Sequence, residues 1–211
     1  MKKYILLFSL LAFSILSKAN FAQISQITTT EGLSSQNVSI MEKDKYGRLW
    51  VGSSIGLDIF NNGSLTNLHT IEVEGTSILT GQIKSIACGD RTLIASKSTV
   101  IDYDYDKKEA EIIKYQGADI TTEHILMTDS CAYFYDNTKN ILFKYMMKEK
   151  ELKVVCELPE KKDFRFLKLL AIDGSEKILL LAENERGIFR LHLENGAIFN
   201  INAIGRNINA K

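Results

Sequence analysis

Thr30-Glu31-Gly32-Leu33-Ser34-Ser35-Gln36-Asn37-Val38, followed by Asp44-Lys45-Tyr46-Gly47-Arg48-Leu49-Trp50-Val51-Gly52 and Gly56-Leu57, is the stretch that decides the fold of this 211-residue chain. A first strand, A, spans Val38 to Lys43, and the Asp44-Lys45-Tyr46-Gly47 turn places glycine where a hairpin wants positive φ. Strand B runs Arg48 to Gly52 and carries the only tryptophan. A glycine-bounded hairpin, Gly52 to Gly56, leads into strand C at Leu57 to Phe60. Asn61-Asn62-Gly63 then turns the chain into strand D, Leu65 to Leu68, because Asn and Gly tolerate the left-handed backbone of a tight turn.

The same four-strand layout recurs. Aligning strand C of each unit puts Leu57-Asp58-Ile59-Phe60 over Val100-Ile101-Asp102-Tyr103, Leu142-Phe143-Lys144-Tyr145 and Ile188-Phe189-Arg190-Leu191. The steps from Phe60 to Tyr103, Tyr145 and Leu191 are 43, 42 and 46 residues, within the period of about 40 to 50 of four-stranded propeller blades. Further strands are expected at Ile83 to Ala87, Thr92 to Ser96 and Ala110 to Tyr115, at Ile125 to Thr128, Cys131 to Tyr135 and Leu152 to Cys156, and at Leu167 to Ile172, Lys177 to Ala182 and Ala197 to Ile201. The absence of any convincing amphipathic helix agrees with an all-β fold. The expectation is an all-β β-propeller of about four four-stranded blades, approximately 31–70, 78–116, 123–157 and 164–202, in a repeat region spanning 23–211.

One strand is left over. Ile24 to Thr28 stands to Val38 as each strand D stands to the next strand A, and Ala203 to Lys211 resembles a connector into another strand A. The chain is therefore expected to be an incomplete, open part of a larger propeller, completed by further blades or by self-association. Pro159, the only proline, sits in the polar segment between the third and fourth units, where a missing N–H does least harm.

The start reads as an export signal over 1–22: Lys2 and Lys3, an apolar run from Ile5 to Leu16, then small residues Ser17, Ala19 or Ala22 for cleavage. The run is shorter than the roughly 20 residues of a spanning helix, and no later segment is long enough to cross a membrane. A periplasmic location follows as the expectation. The 26 basic and 26 acidic residues balance, so nothing favours nucleic acid or an anionic membrane as partner. Cys88, Cys131 and Cys156 lie in or beside apolar runs without metal-ligand spacing. They read as small buried hydrophobes, with one disulfide plus a free thiol as the alternative.

No catalytic, metal or cofactor site emerges. His69, His124 and His192 are far apart, and no nucleophile motif surrounds any cysteine. Asp102-Tyr103-Asp104-Tyr105-Asp106 opens like a calcium loop, but Lys107 and Ile113 stand where glycine and glutamate are required. It reads as a solvated strand end running into a charged hairpin. Trp50 reads as packing between blades and not as a sugar platform. Alternation puts Tyr133 and Tyr135 on one face and Phe134 on the other, leaving at most one face for a ligand. Asn37, Ser39, Ser53-Ser54 and Asn137 to Asn140 fall near loops that converge on an end face, where propellers bind ligands.

Over Thr30 to Gly63 the residues resemble the two-component regulator propeller repeat. The structural repeat motif comprises Gly32, Leu33, Val38, Asp44, Gly47, Leu49, Trp50, Gly52, Gly56 and Leu57. Ser53 stands where the repeat favours threonine, Asp58-Ile59-Phe60 replaces an Asn-Arg-Tyr type strand ending, and units two to four keep the period but lose the Trp. The resemblance implies a periplasmic sensor region of a hybrid two-component system responding to oligosaccharides, whose histidine kinase is not in this chain. An autonomous exported interaction or glycan-binding propeller is the alternative, and a propeller glycan-active enzyme the remote one.

Overall fold

In the computed structural model, which describes residues 26–158, 168–175, 177–183 and 187–201, the chain is laid down as successive antiparallel meanders. The first sheet holds β1 (Val38–Lys43), β2 (Leu49–Ser53), β3 (Leu57–Asn61) and β4 (Ser64–Leu68) in that order. A separate hairpin follows, β5 (Thr70–Val73) and β6 (Thr76–Leu79). The second sheet holds β7 (Ile83–Cys88), β8 (Thr92–Ser96), β9 (Val100–Asp104) and β10 (Glu109–Tyr115), with the short β11 (Ala118–Asp119) on its outer edge. The third holds β12 (Ile125–Met127), β13 (Cys131–Asp136), β14 (Ile141–Met146) and β15 (Glu151–Glu157). The fourth holds β16 (Lys168–Ile172), β17 (Ile178–Glu183), β18 (Gly187–His192) and β19 (Ile198–Asn200). The export segment, Pro159 and the 203–211 connector lie outside the described residues.

Period-two alternation splits each central strand between two cores. In β8, Leu93 and Ala95 face the third sheet while Ile94 faces the first. In β13, Ala132 and Phe134 face the second sheet while Cys131, Tyr133 and Tyr135 face the fourth. Three apolar layers result, one between each pair of consecutive sheets. The first layer packs Trp50, Leu57 and Ile59 on Ile83, Ile86, Ile94, Ile101 and Tyr103; the second packs Leu93, Val100 and Ile113 on Phe134, Phe143 and Tyr145; the third packs Tyr133, Tyr135 and Leu142 on Leu179, Leu181, Phe189 and Leu191. Among the described residues no such layer joins the fourth sheet to the first. This is a face-to-face stack of four-stranded sheets, the architecture of propeller blades in an array that does not close on itself.

Glycine takes part in this packing at Gly52. A Cβ there would lie 2.5 Å from Ile83 Cγ2 and 2.8 Å from Ile40 Cγ2, so the inner strands of the first two sheets approach through the missing side chain. Three inner strands also bulge at one equivalent place, between Val38 and Ile40, Ile83 and Ser85, and Leu169 and Ala171. The extra residues are Ser39, Lys84 and Leu170. The Ser39 hydroxyl reaches across to the Ile83 carbonyl at 2.7 Å, and Lys84 Nζ reaches Glu123 at 3.1 Å.

Two sequence expectations need correction. Of the strand expected over Ile24–Thr28, residues Gln26 to Thr28 join no sheet; Ile24 and Ser25 lie outside the described residues. Thr28 instead caps a 3-10 turn, Thr29–Glu31: its side chain accepts from Thr30 N, Glu31 accepts from Thr28 N at 2.7 Å, and Gly32 closes the turn at φ 101°. The Asp102–Asp106 run is solvated only at its far end: Asp106 and the charged turn after it are exposed, but Asp102 is fully buried against Arg91 and Tyr145. The β5–β6 hairpin and β11 are additions unforeseen from the sequence.

Candidate functional site

In a meander whose strands alternate in direction, successive connections fall at opposite ends of the stack. One end carries the A–B and C–D turns; the other carries the B–C loops and the connectors between sheets.

At the first end the repeat motif builds a buried polar hub. Asp44 accepts from the backbone N–H groups of Tyr46 and Arg48, both at 2.9 Å, from Trp50 Nε1 at 3.0 Å and from Arg48 Nε. Gly47, at φ 85°, lets the four-residue turn close around that carboxylate. Burial pushes the Asp44 carboxyl up, but the donors from Trp50 and Arg48 outweigh it and hold the group below its usual value. Arg48 passes between the rings of Tyr46 and Tyr105, 4.8 and 4.2 Å from their centroids, and donates to Asp106 of the second sheet at 2.9 Å. Trp50 is fully buried and meets Tyr103 and Tyr105 edge-on, so its faces offer no sugar platform. The hub joins the first two sheets.

A second hub joins the next pair. Asp102 takes Arg91 Nε from its own sheet and the Tyr145 hydroxyl of the third sheet at 2.8 Å. Burial, followed by the Asp102 charge, pushes the Tyr145 hydroxyl pKa well up, which keeps it a neutral donor. Asp104 is tied to Arg91 and Lys107, and Asp106 to Arg48. The three carboxylates that mimic a calcium loop are thus taken up by cationic side chains, Asp102 and Asp104 sharing Arg91 and Asp106 pairing with Arg48. No group of three metal-ligating side chains occurs among the described residues.

At the opposite end the B–C loops are braced from within. Ser53, fully buried, donates to the Gly56 carbonyl at 3.0 Å, and Ser96 does the same to Thr99 at 3.2 Å. Asp136, at the equivalent place in the third sheet, accepts from Thr138 N and Oγ1, Lys139 N and Nζ, and Thr121 N. Burial raises its carboxyl pKa, and the Thr138 and Lys139 donors bring it below the usual value. Gly56 packs under His69, which sits 3.0 Å from where a Cβ would be. Asn140 accepts from the Tyr135 hydroxyl at 3.0 Å, while Ser54 and Thr138 are exposed. Both faces of the Tyr133-Phe134-Tyr135 run are buried between sheets, so neither meets a ligand.

Of the remaining motif positions, Leu57 is fully buried; Leu33, Val38 and Leu49 are half-buried, and Gly32 caps the leading turn. Cys88, Cys131 and Cys156 form no disulfide among the described residues; burial pushes Cys88 up to about 12 and raises Cys156. Thiols so shifted are poor nucleophiles. Sequence reasoning missed Asp136 and the Arg91–Asp102–Tyr145 link, whose partners lie up to 43 residues apart with no local signature.

No protein-family model matches the chain. Histidine kinase P4 of Formosa agariphila is 35% identical over 74 residues, which is 35% of this chain and 5% of the kinase. Among solved structures, the extracellular domain of a hybrid two-component system from B. thetaiotaomicron matches with a TM-score of 0.65 at 16% identity, over 84% of this chain and 26% of that one. Virginiamycin B lyase from Staphylococcus aureus matches at TM-score 0.57 and 12% identity, over 77% of this chain and 54% of the lyase. The chain therefore spans about a quarter of the extracellular domain it matches, and has the propeller fold found in such extracellular domains of two-component systems.

Proposed function

We propose that this chain is a ligand-sensing propeller segment of the periplasmic region of a hybrid two-component sensor, exported by its 1–22 leader, responding to oligosaccharides and carrying no catalytic module. The observation that supports this reading most is the match of four stacked sheets, over 84% of the chain, to an extracellular domain of such a system. The motif residues Asp44, Gly47, Trp50 and Gly52 hold blades together in this reading; ligand contacts fall to the end face of B–C loops and connectors. Binding there would act by shifting the population of sensor arrangements, since a ligand changes an equilibrium only by its differential affinity.

Titration calorimetry of the purified chain against a panel of neutral and acidic oligosaccharides tests the ligand class. Binding at about micromolar Kd, lost on replacing the exposed Ser54 and Thr138, is the expected result. No heat with any sugar sinks the oligosaccharide reading and leaves the fold untouched.

One observation favours a second reading, an autonomous exported propeller module closed by self-association: the outward face of the fourth sheet exposes Leu170, Ile188 and Phe199. A defined dimer in solution, independent of any sugar, would favour it over the first.

A further inference from the structure

The fourth sheet turns Leu169, Leu179, Leu181, Phe189 and Leu191 toward the third. Its opposite face is open: Leu170, Ile188 and Phe199 are 43%, 39% and 51% exposed. A shallow cavity of about 240 Å³ on that face is lined by Arg190, His192, Phe199 and Ile201. The His192 ring stands edge-on to Phe199, 5.6 Å between centroids.

The three interfaces inside the molecule indicate what such a face takes. Each earlier sheet packs its corresponding face on the next sheet. At the third-strand position two residues past the B–C loop contact, those faces carry Ile59, Asp102 and Lys144, and the fourth carries Arg190. Ile59 is buried in the first apolar layer, and Asp102 receives the Tyr145 hydroxyl of the next sheet. Lys144 lies 5.3 Å from the centroid of the Tyr133 ring, its neighbour within the third sheet. Arg190 is exposed and has no side-chain partner among the described residues. The inner-strand bulges repeat the pattern: Ser39 and Lys84 each reach the following sheet, whereas Leu170 at the same place points an apolar side chain outward.

We infer that this face takes a further four-stranded blade, and that the covering blade presents a carboxylate to Arg190. Covering Ile188 and Phe199 encloses the guanidinium among apolar groups, where an unpaired cation is strongly unfavourable. A carboxylate answers both its charge and its forked donors. This rests on the propeller-segment reading above and adds the chemistry of the missing contact.

The test extends the full chain, after Lys211, by a second copy of residues 118–158, whose sheet covers an equivalent face in this molecule. The copy carries Tyr145 unchanged, Tyr145→Glu or Tyr145→Gln, since this position meets the third-strand residue of the sheet it covers. Protease resistance of the copy, particle size by light scattering and thermal midpoint are measured. The expected result is a protected copy in a monodisperse monomer, with the Tyr145→Glu version melting about 2–4 °C above the Tyr145→Gln version and that difference vanishing in Arg190→Met. Protected copies with equal midpoints for Glu and Gln overturn the carboxylate pairing and leave the segment reading standing. Copies that remain protease-labile in all three versions overturn the docking surface and the segment reading together.

Discussion

Asp44 carries the most consequence of any single residue. Its carboxylate organises the turn, neutralises a buried arginine and takes the indole N–H, so Asp44→Ala leaves Arg48 and Trp50 with unmet donors. Breaking a buried pair in this way costs about 3 kcal/mol, and urea unfolding of the variant should show a loss of that size. Gly52 is sensitive for the opposite reason. Gly52→Ala forces a methyl into Ile83 and Ile40 and is expected to cost about 1–3 kcal/mol, read in the same unfolding experiment; an unchanged midpoint would show that the inner strands can separate freely. The buried aspartates also set the acid response. Asp44 and Asp136 have carboxyl pKa values lowered in the fold, so their contribution is complete above the usual aspartate range and is lost as pH falls through the lowered folded value. Thermal midpoints should hold from pH 7 to about 5 and drop from about pH 4 downward, less steeply in Asp136→Asn than in the parent chain.

At the scale of elements, the β5–β6 hairpin is the feature that distinguishes the first junction. Ile71 and Val73 are buried at 4% and 6% exposure in the layer between the first two sheets, near Ala110 and Ile112 of β10. In a radial stack the outer strands diverge, and the hairpin fills the resulting wedge. Ile71→Ala should therefore cost about 2–4 kcal/mol and open the junction to proteolysis around residues 70–79; resistance equal to the parent would mean the hairpin merely rests on the surface. Its turn has Glu74 at φ 49° and Gly75 at φ 77°, a two-residue geometry that prefers Asn before Gly. Glu74→Asn is expected to stabilise by up to about 1 kcal/mol. The strands themselves were legible: those of the third and fourth units begin and end within one or two residues of where alternation and turn chemistry put them. The hairpin was less so, because Thr70 to Leu79 reads as a connector until a neighbouring sheet gives its two apolar residues somewhere to pack.

For the whole molecule, the four stacked sheets form three interfaces among the described residues and leave two terminal faces. An interior face is satisfied by its neighbour; the outward face of the fourth sheet leaves Ile188 and Phe199 in contact with water. Such a patch drives association. Light scattering should show particle mass rising with concentration for the purified chain, reversed by the double substitution Ile188→Lys, Phe199→Glu; a concentration-independent monomer would count against an uncovered blade face.

The sequence by itself determined the all-β class, the blade period and the placement of nearly every strand, because alternation recurs in four units, a 42 to 46 residue spacing separates them three times, and glycines mark turns in the first, second and fourth. It also marked Trp50 as a packing residue, since the first motif is dense enough to interpret, whereas the close approach at Gly52 came from the structure. Only the tertiary structure decided that Asp102 is buried under Tyr145, that Asp136 braces a loop, that Thr28 caps a turn where a strand was expected, and that Arg190 faces outward without a side-chain partner among the described residues. Those outcomes depend on which sheet lies beside which face. A strand's alternation says that it has two faces, but not what each will meet.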